Sequence, residues 1–155
     1  MNVITGDLLK LANEGQFDVI VHQCNCFHNF GAGIAVGVMR YFPQAFEADK
    51  TTAFGDRNKM GTISTCNVQS NNLKYHFWIV NGYSQFGCGA NQVRTEYEHV
   101  RSVFKRIKEA FPPSVRIGYP LYGAGLAGGD WNIISKIIDE ELEGYNHTLV
   151  KWDRK

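Results

Sequence analysis

His22, Cys24, Asn25, Cys26, His28 and Asn29 crowd into one short stretch, and their side chains are the ones that could do chemistry. An imidazole titrates near neutrality, so His22 could move a proton in the hydrolysis of a phosphate ester. A histidine closing an apolar strand can equally be a buried neutral group serving packing. His28 reads as an exposed loop residue. A thiolate nucleophile needs positive charge beside it, and the local sequence offers none, so Cys24 and Cys26 read as small buried thiols. Cys24 and Cys26 are one residue apart and no second close pair follows, which does not match zinc-ligand spacing.

The elements that must hold these groups explain more. The stretch begins as the apolar run Val19-Ile20-Val21 and ends in Gly31-Ala32-Gly33, which opens a helix at Ile34. A strand, a glycine turn and a helix start together aim main-chain N–H groups at an anion. The pattern recurs at Tyr122 to Gly129, between an apolar strand and a helix that Asp130 caps. Asp130 can also orient a water, and the two roles are compatible. A third glycine-bearing loop is expected over residues 81–90. If the preceding strands are parallel, all three loops open on one sheet edge. No Lys or Arg lies in residues 23–33 or 81–90, so the device would be main-chain N–H groups rather than basic clamps. Gly123, Gly125 and Gly128 also spell a dinucleotide-binding motif, with Asp153 after the next strand. Only one strand follows that motif, which argues against a dehydrogenase.

Periodicity predicts a strand at residues 3–4, a helix at 8–12 capped by Asp7, and a strand at 17–22. Helices follow at 34–42 and 44–54. Strands at 62–68 and 75–80, joined by Asn71-Asn72, form a hairpin and make the sheet mixed. A long helix spans 93–111, with Arg94, Glu98, Arg101, Lys105 and Lys108 on its wet side. A strand at 115–120, a helix from Asp130 and a strand at 147–152 complete a single α/β domain over residues 1–155, with helices on both faces of the sheet.

A chain of 155 residues with 44% hydrophobic and 20% charged content can bury an ordinary core without staples. A net charge of +1 gives no global pull towards nucleic acid or membrane. No apolar run spans a bilayer, and the first residues lack a signal-like core. The four cysteines need no pairing in a domain of this size, so the expected setting is reducing and cytoplasmic, with no membrane partner, no metal and no cofactor.

Thr5-Gly6-Asp7-Leu8, His22-Gln23-Cys24-Asn25-Cys26, Gly31-Ala32-Gly33-Ile34-Ala35 and Gly123-Ala124-Gly125-Leu126, followed by Trp131, resemble the macrodomain family in order along nearly the whole chain. The run before the glycine turn, and Ser84-Gln85-Phe86-Gly87, look most like its yeast-type ADP-ribose 1″-phosphate phosphatase branch. The resemblance implies a three-layer α/β/α macrodomain with a central mixed sheet. It implies that Asp7, with the Leu8 N–H nearby, takes the adenine. Gly31, Ala32, Gly33, Ile34 and Ala35 would line the diphosphate and distal ribose. Gly123, Ala124, Gly125, Leu126 and Ala127 would donate to the phosphates, Asn25 would meet the distal ribose, and Phe86 would pack against it. On ADP-ribose 1″-phosphate, with water as nucleophile, His22 is the first candidate for proton transfer, helped by Asn25 and Asp130. Related glycohydrolases, which remove ADP-ribose from proteins or DNA, carry a lysine after the middle strand and an acidic residue after GxGL. Here Asn81-Gly82-Tyr83-Ser84 and Ala127 stand at those places. Removal of ADP-ribose from protein or nucleic acid, or binding of ADP-ribosylated macromolecules without turnover, are the alternative readings.

Overall fold

In the computed structural model, which describes residues 1–88 and 93–152, the strands form one six-stranded sheet. The elements in chain order are β1 (Asn2–Gly6), α1 (Leu8–Asn13), β2 (Val19–Cys24), α2 (Ile34–Tyr41), α3 (Gln44–Lys50), β3 (Ile63–Gln69), β4 (His76–Tyr83), α4 (Tyr97–Ala110), β5 (Arg116–Tyr119), α5 (Trp131–Glu141) and β6 (Asn146–Trp152). The strand order is β1-β6-β5-β2-β4-β3. Every pairing is parallel except β3 with β4.

Alternation along the strands sorts the core into two layers. Ile20 and Cys24 of β2 face Leu8, Ala12, Ala35, Val38 and Ala45 of α1 to α3. Val19 and Val21 face the other way, onto Val100, Phe104 and Ile107 of α4 and Ile134 and Ile138 of α5. The molecule is therefore the expected three-layer α/β/α sandwich around a mixed sheet. Burying each such aliphatic side chain contributes roughly 1.5–3 kcal/mol.

Several boundaries move, each for a local reason. The helix expected over residues 44–54 stops at Lys50 because the Thr51 and Thr52 hydroxyls donate back to the Ala48 and Asp49 carbonyls, both at 2.6 Å. Asn81, Gly82 and Tyr83 belong to β4 rather than to a loop, because β2 and β3 continue to pair with them on both sides. Gly89 and Ala90, the end of that expected loop, lie outside the described residues, as does Asp153. The helix expected from residue 93 begins only at Tyr97. The main-chain N–H groups ahead of it are taken elsewhere: Arg94 donates to Ala127 O at 2.7 Å and Glu96 to Ser84 O at 2.8 Å. Val93 is accordingly 62% exposed, not part of the apolar stripe. The basic face of α4 is not wholly free in water: Arg101 and Lys108 hold the buried Glu141 of α5 at 2.7 and 3.1 Å.

Candidate functional site

β2 and β5 are parallel neighbours, and at the C-terminal edge of the sheet the chain leaves β2 for α2 on one face and β5 for α5 on the other. Such a reversal leaves a crevice between the departing loops. A cavity of about 1180 Å³ opens there. Its walls come from the start of α1, the loop after β2, the start of α2, the loop after β5 and the end of β6.

Asp7 lines one end. Its Oδ1 accepts from the Leu9 and Lys10 N–H groups at 3.1 and 3.2 Å, which is the predicted cap, and the second oxygen is left for a donor from outside. Beside it, Trp152 at the end of β6 is 59% exposed and lines the same end, directly across the sheet register from Gly6. A flat aromatic face next to a carboxylate suits a planar ring that also donates a hydrogen bond.

Two main-chain arcs face each other across the middle. Ala32, Gly33, Ile34 and Ala35 line one side, with Gly33 at φ 62 turning the chain into α2. No side chain caps this helix, and among the described residues nothing in the chain accepts from the N–H groups of Ala32 to Ala35. Opposite, Gly123, Gly125, Leu126 and Ala127 line the cavity, and the N–H groups of Gly125, Leu126 and Ala127 likewise have no acceptor among the described residues. Unspent N–H groups on both sides of a cleft, one set at a helix start, can cradle an anion.

Asn25 lines the far end and is 8% exposed. Its Oδ1 accepts from Phe27 N at 2.9 Å and its Nδ2 donates to Asn29 O at 2.8 Å. These bonds shape the loop and leave one amide hydrogen and one lone pair for a ligand.

Leu8 also lines the cavity, while His22, Gly31, Phe86, Ala124 and Asp130 lie off the lining. His22 points from β2 into the α1–α3 layer, 2% exposed and packed edge-on against Phe30 at 5.3 Å. Its Nε2 is 2.7 Å from Asn81 Oδ1. Asn81 Nδ2 donates to Ala45 O and Ser64 Oγ, so Oδ1 must be the acceptor and His22 Nε2 the donor. Burial lowers the imidazole to about 4, only partly offset by Asn81 and the charge of Asp49, so it is neutral near pH 7. His22 thus stands behind the cavity as a buttress, not at its surface. Gly31 spends its N–H on Asn29 Oδ1 at 2.8 Å. Phe86 turns to Phe27 at 4.9 Å, with the Arg57 guanidinium 4.8 Å over its ring. Ala124 packs on the α4–α5 layer. Asp130 caps α5, accepting from Asn132 N at 2.9 Å. Cys24 borders the cavity and Cys26 does not; burial raises both thiols, keeping them protonated.

Trp152, Gln23, Asn29 and Cys88 line the cavity although sequence reasoning did not single them out for binding. Among the described residues the one cluster of possible metal donors is Glu96, Glu98 and His99. It is not part of the cavity lining, and Arg57 already binds Glu96 at 2.8 Å. Among the described residues no helix is long and apolar enough to cross a membrane.

No protein-family model matches the sequence. An uncharacterized 17.5 kDa protein from the tk-vs intergenic region of Enterobacteria phage T4 is 33% identical over 157 residues, covering 97% of this chain and 95% of its own. The macrodomain of Thermus aquaticus DarG superposes with a TM-score of 0.70 at 23% identity, covering 96% of each chain. Thermosipho africanus DarTG, solved in complex with ADP-ribose, superposes with a TM-score of 0.72 at 17% identity, covering 97% of this chain and 41% of that one. A Bacteroides thetaiotaomicron protein reaches 0.75 at 22% identity, covering 97% and 99%. These structures share the fold.

Proposed function

For a chain that belongs to the family of the 17.5 kDa phage T4 protein and has the macrodomain fold, we propose that the cavity binds ADP-ribose and that the bound substrate is ADP-ribose 1″-phosphate, hydrolysed to ADP-ribose and phosphate. The observation that carries the binding is the pair of facing arcs, Ala32–Ala35 and Gly125–Ala127, with unspent N–H groups. Asp7 and Trp152 at one end suit adenine, and Asn25 at the other suits the distal ribose. The ADP-ribose in the T. africanus structure is a ligand of this chemistry in the same fold.

Water is the nucleophile in this reading, and main-chain N–H groups stabilise the charge that grows on the phosphate. In the same reading Asn25, which lines the cavity, orients the reacting end. The neutral, enclosed His22 holds β2 and β4 in register beneath it rather than touching substrate. The absence of lysine chemistry favours the phosphatase over the glycohydrolase: Asn81, Tyr83 and Ser84, where related glycohydrolases place their lysine, are fully buried and spent on internal hydrogen bonds.

Purified protein incubated with ADP-ribose 1″-phosphate should release inorganic phosphate, and Asn25→Ala should slow that release. Tight ADP-ribose binding in calorimetry without phosphate release would leave a binding module. Loss of label from ADP-ribosylated DNA or protein would instead identify a glycohydrolase. Failure to bind ADP-ribose would remove the whole reading.

A further inference from the structure

Gln23 borders the cavity, yet its amide is spent inward. Its Nε2 donates to Gln85 Oε1 at 2.9 Å and to Thr95 Oγ1 at 3.1 Å, and its Oε1 accepts from Ser84 Oγ at 2.7 Å. The directions are forced. Thr95 gives its hydroxyl proton to the Gly123 carbonyl at 2.6 Å, so its oxygen must accept from Gln23. Ser84 gives its proton to Gln23, so Tyr122, 2.6 Å away, must donate to Ser84. Gln85 then has its Nε2 free to donate to Gly87 O at 2.8 Å. Both amide protons of Gln23 are used, and one side chain ties β2 to the loop after β4, to the segment before α4 and, through Thr95 and Ser84, to the loop after β5.

The fit around the second loop is close. A Cβ on Gly123 would stand 3.0 Å from Thr95 Oγ1 and 3.1 Å from Gln23 Oε1, at a φ of 69 that side chains rarely adopt. Gly129 N–H donates to Gly123 O within the loop at 2.9 Å, and Arg94 N–H from the segment before α4 donates to Ala127 O at 2.7 Å, so both ends of the arc are pinned. A fully satisfied polar network of this kind fixes one geometry, because any slippage strands a buried donor or acceptor.

We propose that Gln23 is a positioning residue: it holds residues 84–87 and 121–127 at a fixed spacing, so that the Gly125–Ala127 N–H groups stand in place for the diphosphate before ligand arrives. This rests on the ADP-ribose reading above. It predicts that the network governs affinity for the diphosphate part of the ligand and not for the adenosine part.

Gln23→Met and Thr95→Val remove hydrogen bonds with little change of shape. Thr95→Ser keeps the hydroxyl. In calorimetry the first two should weaken ADP-ribose binding about tenfold, while adenosine binding, followed by NMR titration, stays at the wild-type level and Thr95→Ser binds ADP-ribose as wild type does. Amide hydrogen exchange of the free protein should accelerate at Gly129 and Arg94 in Gln23→Met and Thr95→Val, and not within β2 or β4. Equal loss of adenosine and ADP-ribose binding, or a Thr95→Val protein that binds ADP-ribose normally, overturns the positioning role. If the wild type binds no ADP-ribose, the functional reading fails by itself. The exchange measurement then decides the positioning role alone, and unchanged exchange at Gly129 and Arg94 refutes it.

Discussion

Lowering the pH from 7 to about 4.5 should cost the fold about 2.5 kcal/mol at His22 alone. The group has an ordinary value of 6.5, which burial lowers to about 4 in the folded chain. In the unfolded chain it takes up a proton first, so stability is complete above 6.5 and is lost as the pH falls towards 4. Below that the folded form is protonated too and nothing more is lost. The structural reason is that the ring has one oxygen acceptor, Asn81 Oδ1 on Nε2, and otherwise only the Cys24 sulfur, 3.5 Å from Nε2 and 3.9 Å from Nδ1. A second proton on Nδ1 would put a buried charge against Phe30, with only Asp49 nearby to offset it. Urea unfolding across this range measures the loss. His147, also lowered by burial, acts in the same direction, and Asp18 and Glu141, held low in the fold, add losses at the acid end. The comparison with His22→Gln isolates the imidazole, because a glutamine amide can still donate to Asn81 but does not titrate. The variant should start less stable and fall less steeply, by about 2.5 kcal/mol over the range. Parallel curves for the two proteins would refute the account of His22 as a neutral buttress.

Gly125→Ala separates ligand approach from folding: a Cβ there meets nothing within 4 Å and the φ is not positive, so the melting temperature should hold. The same methyl stands in the cavity, and ADP-ribose affinity should drop about tenfold; unchanged affinity in calorimetry would mean that the arc does not touch the ligand. Trp152→Ala should lose about tenfold in affinity and most of the ligand-induced change in tryptophan fluorescence. A full fluorescence response from the variant would place the ring contact elsewhere.

Local pattern was enough for most of the architecture and for the two glycine loops that line the cavity. Alternating and helical periodicities set the element order. Asp7 and Asp130 announce helix starts because capping is a property of a few adjacent residues. The two glycine arcs could be read as anion cradles because a strand, a tight turn and a helix start are contiguous in sequence. The side chains were harder, since their direction depends on partners far along the chain. His22 looked like a site residue because it precedes the loop, but the period of two in β2 sends it to the same face as Ile20 and Cys24, under Phe30. Phe86 is drawn off the cavity by Arg57 and Phe27, neither adjacent to it. Trp152 gained a site only when β6 paired with β1 and brought it beside Gly6 and Asp7, a contact between opposite ends of the chain. Gln23 is the sharpest case. It stood inside the motif and drew no functional reading, because its importance lies in Ser84, Gln85 and Thr95, whose approach only the parallel β2–β4 pairing creates. A residue that acts by spending every hydrogen bond inward leaves no local signature, and for that reason Gln23→Met tests the folded network in a way that no substitution in the glycine arcs can.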